Sequence, residues 1–340
     1  MPGVSGLDVE TLFAPLAFSR AIGLAVSGGP DSLALMVLMA QWARPAGRPR
    51  LVVYTVDHGL RPEAAGEAAM VVREAERLGL PARILRWAGD KPETGIQAAA
   101  RRARYRLLAA ARDADDIDII VTAHHLADQA ETVLMRLAHG SGIEGLAGMR
   151  EVSFVEGCKV CRPLLGVRPE ALRAVVAAAG LAPAADPGND DPAYERVRWR
   201  QVQGQLDGMG LTIERLGVFA RRMDEAAALI GEDADAVYPQ LVTPREATHF
   251  ELEHGRFAAL NPLVAVTLLG QVLELVSGNR QSPPLGALEL LQARLQRFEP
   301  MKPTTLHGCI VSAGRDIITV RKEGPRRARR DTAASSAASG

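Results

Sequence analysis

The stretch AIGLAVSGGPDS, residues 21–32, joins a six-residue apolar run to a loop of two glycines, a proline and an aspartate. A short apolar run closed by glycine reads as a buried strand, and residues 32–43, with few charges, read as the helix that follows. Gly28 and Gly29 are small enough to let backbone N–H groups approach a ligand, and Ser32 stands at the entrance of the helix. Amides of this kind and the positive end of a helix both favour an anion. The common phosphate loop ends in Gly-Lys-Ser/Thr, and no lysine is present here. Asp31 stands beside the presumptive anion instead, a repulsive arrangement unless Mg²⁺ bridges the two. The same residues also fit a plain turn, with Asp31 or Ser32 capping the helix.

The surrounding pattern weighs on that choice. Strand-like residues 51–56, 82–87 and 117–122 alternate with helical 63–78 (stopped by Gly79), 97–112 and 126–138. This alternation predicts an α/β domain, a Rossmann-like parallel sheet with helices on both faces. In such sheets ligands sit at the carboxyl ends of strands, which is where the glycine loop lies. Residues 150–165 read as irregular or a hairpin, and 169–180 as a helix with Pro at its start and Gly at its end. Residues 182–192, APAADPGNDDP, read as a loop or linker.

From about residue 200 the expected helices are 216–236, 262–276 and 286–296, followed by strand-like 308–311 and 317–321, which together suggest a smaller α+β C-terminal domain. The expected division is 1–200, 201–323 and an Arg-rich, then Ala/Ser-rich, disordered tail at 324–340. The 340 residues carry no net charge, which argues against indiscriminate coating of nucleic acid, although local basic clusters remain. Three cysteines make no disulfide framework, and no apolar run is long enough for a bilayer. With no signal-peptide pattern at the N-terminus, the expectation is a cytoplasmic protein without a membrane partner.

Polar residues collect at the predicted carboxyl edge of the sheet. The second strand runs into Asp57 and His58, which could equally cap the turn before the next helix. Helix 97–112 carries Arg101 and Arg104 on nearly one face and Arg102 and Arg106 on another; such runs are often solvated. The fourth strand runs into His124 and His125, then Asp128 and Glu131, three apart on one helical face. Their spacing does not match a zinc motif. Cys158 and Cys161 form a Cys-x-x-Cys in a strand-like segment, where positions three apart point to opposite faces.

Residues 27–32 match Ser-Gly-Gly-x-Asp-Ser throughout, and on these residues the chain resembles the PP-loop ATP pyrophosphatase family. The resemblance implies binding of ATP by Ser27, Gly28, Gly29, Pro30, Asp31 and Ser32, cleavage to AMP and pyrophosphate, and an adenylated substrate. It also implies that the backbone of Val56 meets the adenine. The segments VDHGLRPEA, ARRARYRLL, HHLADQAETVLMRLAHGSGIEGLAGM, RPLLGV and DPGNDDPAYERVRWR look like those of the bacterial tRNA(Ile)-lysidine synthetase family, over roughly residues 20–200. Gly188, Val197 and Trp199 depart from that family's pattern.

What this second resemblance implies is ligation of L-lysine to C2 of the wobble cytidine of isoleucine tRNA with a CAU anticodon, through an adenylated cytidine. Codon reading then switches from AUG to AUA. Asp31, Arg104, His124 and Asp128 are the expected catalytic residues, with Asp31 holding Mg²⁺; Asp128 and Glu131 are expected to bind lysine, and Arg196, Arg198 and Arg200 to bind tRNA. A PP-loop tRNA thiolase, a non-catalytic tRNA binder and a small-molecule amide ligase remain as alternatives.

Overall fold

In the computed structural model, residues 6–184, 195–279 and 281–324 are described. The expectations for 185–192, most of the DPGNDDPAYERVRWR segment and the tail beyond 324 lie outside them. The chain forms two compact units, the first ending at Asp224 and the second beginning at Glu225.

The first unit starts with α1 (Val9–Phe13), capped by the Asp8 carboxylate, which accepts from the Glu10 N–H at 3.1 Å. Then come β1 (Ala21–Ala25), α2 (Pro30–Trp42), β2 (Arg50–Asp57), α3 (Ala64–Arg77), β3 (Ala82–Arg86), α4 (Ile96–Ala114), β4 (Ile119–Val121) and α5 (Leu126–Ala138). A short α6 (Ile143–Leu146) leads to β5 (Val152–Val155), β6 (Cys158–Cys161) and α7 (Pro169–Ala178); α8 (Glu195–Gly208) follows, and α9 (Ile213–Leu241) begins in the first unit and ends in the second. The sheet order is β3-β2-β1-β4-β6-β5, parallel except for β5. The 150–165 segment is therefore a hairpin whose second strand joins the parallel sheet beside β4.

Strand side chains alternate between two cores, as a period of two requires. Ile22, Leu24, Leu51, Val53, Ile119 and Val121 pack with α2, α3 and α7, while Ala21, Val52, Tyr54 and Ile120 pack with α4. Helix α2 is apolar nearly all round because it is buried nearly all round. Gly23 lies where two large side chains close over β1: a Cβ there would stand 2.5 Å from Ile120 Cδ1 and 2.7 Å from the Tyr54 ring.

Helix α8 had no apolar period to announce it. It half-buries Trp199 and Leu206 against Ala130, Val133 and Leu134 of α5 and Leu216 of α9, and Val197 is buried as well. Trp199, odd within an Arg-rich stretch, thus belongs to the packing face of that helix, while Val197, two positions earlier, is buried on another side of it.

In the second unit, β7 (Val242–Glu246), β8 (His249–Glu253), β9 (Met301–Leu306), β10 (Cys309–Ala313) and β11 (Ile317–Lys322) form an antiparallel sheet, order β7-β8-β11-β10-β9. It is accompanied by α10 (His254–Ala258), α11 (Pro262–Ser277) and α12 (Leu285–Leu295). Helix α11 begins with an Asn261 cap and Pro262 and ends at Gly278, left-handed with φ +72°. Three strands, β7, β8 and β9, escaped the sequence reading: β7 and β9 are edges that carry Pro244 and Pro303, and β8, His249–Glu253, has no apolar run. An α/β domain with a smaller α+β unit is the observed class, as expected. No helix among the described residues is long and apolar enough to cross a membrane.

Candidate active site

The glycine loop leaves β1 at the point where the sheet order reverses, with β2 on one side and β4 on the other. Such a switch point opens a crevice at the carboxyl edge. Gly28 adopts φ +89°, and a Cβ there would press on Met70 and Val71 at 3.2 and 3.3 Å, so glycine is required both by conformation and by space. Ser27 N–H donates to Ser32 Oγ (3.2 Å), and the Ser32 hydroxyl donates to the Gly29 carbonyl (2.9 Å). These bonds fold the loop over the first turn of α2. The cap position is Gly29 with Pro30 next to it, so neither Asp31 nor Ser32 caps the helix. The plain-turn reading assigned them that task, and the structure leaves Asp31 free for another.

Asp31 instead meets His125. The imidazole Nε2 lies 3.5 Å from Asp31 Oδ2, and Nδ1 lies 3.4 Å from Asp128 Oδ2. His125 is also the cap of α5: Asp128 N–H points at Nδ1 (3.4 Å), and the Asp128 carboxylate accepts from His125 N–H (3.0 Å), a reciprocal capping box. One buried ring therefore ties the loop after β1 to the helix after β4. Burial works against its charged form, yet the Asp31 hydrogen bond and the charges of Asp128, Asp31 and Glu131 outweigh burial and raise its pKa.

His124 behaves in the opposite way. Its Nδ1 lies 2.9 Å from the Thr122 hydroxyl, and its pKa is pushed down to about 4. Burial is the main cause; the charges of Arg162, Arg196 and Arg101 add to it, and Asp128 opposes. Two adjacent histidines thus differ in charge preference, His125 leaning on two carboxylates and His124 buried among Asp128 and three guanidinium groups.

At the end of β2, Asp57 accepts from Gly59 N–H (2.9 Å) and holds the turn. His58 is pushed down to about 4, first by burial and then by the charge of Arg104, which places Arg104 beside it. Arg104 itself reaches solvent, and among the described residues it makes no hydrogen bond or ion pair; desolvation and Arg101 pull it below the ordinary arginine value. Arg101 lies over the Tyr105 ring at 5.1 Å. Ladder pairing of β1 with β2 stops at Ala25↔Tyr54, where Val26 N–H donates to the Tyr54 carbonyl (2.9 Å). Val56 is two residues further on, so its N–H and C=O turn to the same side, past the end of β1.

Glu131 is only 3% exposed and is paired with Arg200, whose Nε and a terminal nitrogen stand 2.9 and 3.4 Å from its two oxygens. Desolvation raises Glu131, and the Arg200 pair partly offsets that. Arg196 lies one turn before Arg200 on α8, near enough to Glu131 and His124 to affect both, while Arg198 is exposed and about 200° away around the helix. The structure thus brings Asp31, His124, Asp128, Glu131, Arg196 and Arg200 together; Arg104 and Val56 lie toward β2, and Arg198 faces elsewhere. His125 and Arg162 are the two members to which the sequence reading gave no part. His125 was visible as a residue three before an aspartate at a helix start, the spacing of a capping box.

The Cys-x-x-Cys pair divides between the two cores. Cys158 packs with α4's side of the sheet and Cys161 with α2's, both thiols are free and fully buried, and burial pushes both to about 11. Such thiols neither reach each other nor ionise readily. Among the described residues no group of three or more His, Cys, Asp and Glu side chains is placed to hold a metal.

Residues 7–206 match the PP-loop domain family. A tRNA(Ile)-lysidine synthase of Bradyrhizobium sp. is 43% identical over 346 residues, covering 96% of this chain and 96% of its own. That of Rhodopseudomonas palustris is 43% identical, covering 96% and 97%, and that of Novosphingobium aromaticivorans 52% identical, covering 56% and 58%. Among solved structures, the U34-tRNA thiolase NcsA from Methanococcus maripaludis shares the fold, with a TM-score of 0.53 over 64% of this chain and 76% of its own at 16% identity. With the loop, its switch-point position and these full-length relatives in agreement, the chain belongs to the tRNA(Ile)-lysidine synthase family, within the PP-loop ATP pyrophosphatases.

Proposed function

We propose that this chain joins the ε-amine of free L-lysine to C2 of cytidine 34 in isoleucine tRNA with a CAU anticodon, converting ATP to AMP and pyrophosphate. The observation that carries the reading is the His125 link: it sets the nucleotide loop, through Asp31, against the carboxylate of Asp128. A loop made for phosphates and a carboxylate made for an ammonium then face one reaction centre.

In the first step the cytidine carbonyl oxygen at C2 attacks the α-phosphorus and pyrophosphate leaves. The N–H groups of Gly28 and Gly29 and those of the first turn of α2 after Pro30 receive the phosphates, Val56 offers its backbone to the adenine, and Arg104 takes up charge developing on the phosphates. In the second step the lysine amine attacks C2 and AMP leaves with the C2 oxygen; the amine proton passes to a base. Asp128 holds the ammonium and directs it, with Glu131 as the second carboxylate of the subsite and His124 beside the cytidine or α-phosphate. Arg196, Arg198 and Arg200 supply contacts to tRNA phosphates, and residues 201–323 grip more of the tRNA.

Asp31 offers one carboxylate, 35% exposed, at the start of a helix. That donor set suits Mg²⁺ arriving with a nucleotide, because Mg²⁺ is bound by one or two carboxylates plus phosphates and water. When bound there it would neutralise phosphate charge. A cytoplasmic setting, where ATP, lysine and tRNA occur together, completes the reading.

The test is incorporation of labelled lysine into isoleucine tRNA with a CAU anticodon, alongside ATP–pyrophosphate exchange. Wild type should do both, and Asp128→Asn should lose lysine transfer far more than exchange. Lysine-independent entry of sulfur into the tRNA, or full lysine transfer by Asp128→Asn, would sink this reading.

A further inference from the structure

Arg162 follows β6 directly, where Thr122 N–H donates to the Cys161 carbonyl (3.0 Å) and so sets Arg162 against the segment Thr122–His124. It is 4% exposed. One terminal nitrogen donates to the Arg150 carbonyl (2.9 Å) and to the Ser153 hydroxyl (2.8 Å), while Nε is buried without a partner. Among the described residues no carboxylate lies within ion-pair distance of it. A guanidinium buried without a counter-ion costs the fold free energy that neutral hydrogen bonds do not fully return. What it does provide is a fixed positive field at the carboxyl edge, between β4 and β6.

We propose that Arg162 is a positioning residue that acts through His124: its buried charge, set against Thr122–His124 by the β4–β6 pairing, adds to burial in keeping the neighbouring imidazole neutral, with Thr122 fixing the ring. The proposal rests on the reaction proposed above, in which His124 stands beside the cytidine or the α-phosphate. With Nδ1 held by the Thr122 hydroxyl, the neutral ring presents Nε2 alone to that site, whereas an imidazolium there would join His125 as a second cation competing with the lysine ammonium for Asp128. The groups facing His124 are Asp128 from α5, Arg101 from α4, Arg196 from α8 and Arg162 after β6. Asp128 alone favours the charged ring. Among the three arginines, the effect of Arg162 is the largest. The low value of His124, about 4, and the lowered value of Arg162 through burial accord with this arrangement.

The experiment is a proton NMR titration of the full chain with isotope-labelled histidine, the His124 signal being identified by its loss in His124→Asn. In wild type the His124 ring should show no titration above about pH 5.5, since burial and like charges of this kind displace a pKa by a unit or more. In Arg162→Gln the midpoint should rise by about one pH unit, and Arg162→Lys, which keeps the charge, should restore most of the difference. The acid limb of lysine transfer should move with the midpoint. A role confined to packing predicts loss of stability in both variants with the midpoint unmoved, and that result overturns the proposal. So does a wild-type midpoint near the ordinary histidine value, a measurement that stands even if Arg162→Gln does not fold. Because the ring is read directly, the outcome does not depend on which substrate the enzyme uses.

Discussion

Replacing Arg200 by methionine removes the partner of a buried carboxylate and keeps most of the side chain's bulk. Glu131 has 4% of its side chain exposed and Arg200 50%, so the two ends of this ion pair are unequal. Breaking a fully buried pair from one side costs about 3–5 kcal/mol. Arg200 is half in water, so part of its attraction is already screened, and we expect about 2 kcal/mol. The opposite replacement, Glu131→Gln, leaves an arginine that turns to solvent and an amide that still accepts from it, at a cost under about 1 kcal/mol.

The pH dependence has a definite sign. Glu131 is raised above its unfolded value, so over that interval the folded state binds more protons than the unfolded state, and stability falls as pH rises. Loss of Arg200 raises it further, so the penalty of Arg200→Met should be small below the ordinary glutamate value and reach its full size above the raised one. Thermal unfolding followed by circular dichroism at about pH 4 and pH 8 measures this. For a unit of this size about 2 kcal/mol corresponds to a melting shift of about 4–8 °C. Equal losses in Arg200→Met and Glu131→Gln, or a loss in Arg200→Met that does not grow with pH, would refute the claim that Glu131 carries a buried charge that Arg200 offsets.

Gly23→Ala should destabilise the first unit by about 1–3 kcal/mol in denaturant unfolding, because the new methyl overlaps Ile120 and Tyr54, and Ile120→Val should recover part of it. The double replacement of Cys158 and Cys161 by alanine should leave lysine transfer within about threefold, and native protein should resist iodoacetamide at pH 8 until urea is added. His254, fully buried, has Nδ1 2.9 Å from the Gly314 carbonyl and Nε2 2.8 Å from the Leu295 carbonyl. His254→Leu removes the ring that hydrogen-bonds between these carbonyls and should lower the stability of the second unit by about 1–3 kcal/mol, read as an earlier unfolding transition with ATP binding unchanged.

Periodicity made the first unit legible, because a parallel sheet buried on both faces needs apolar strands and each crossover needs a helix. Residues 21–26, 51–56 and 117–122 could hardly read otherwise. Helix α8 was illegible because its stability comes from α5 and α9, which the local sequence does not display. The edge strands β7 and β9 were missed for a related reason, since a strand that pairs on one side needs neither an apolar run nor a full set of N–H donors. Strand β8, paired on both sides, was missed because its charged residues face outward from a sheet with one covered face. In the site, Asp31, His124, Asp128 and Glu131 were found because they stand where loops leave the sheet. Arg162 was overlooked because one arginine beside an apolar Pro-Leu-Leu carries no sign that it is buried.

What the residues taken singly could not reveal is the division of charge across the site. His124 and His125 are neighbours in sequence, but the turn into α5 sends the His125 ring between Asp31 and Asp128, while the arginines Arg162, Arg196 and Arg101 act on the His124 ring alone, with Asp128 opposing them. The reaction proposed here has the same polarity, since it needs carboxylates to collect an ammonium and cations to receive departing phosphate. A single peptide bond separates the two regimes. The capping box fixes that separation, because His125 cannot serve as the cap of α5 and also turn its ring to the arginine side. Exchanging the two roles would therefore require a different start to the helix, so the electrostatic layout of the site is set by how α5 begins.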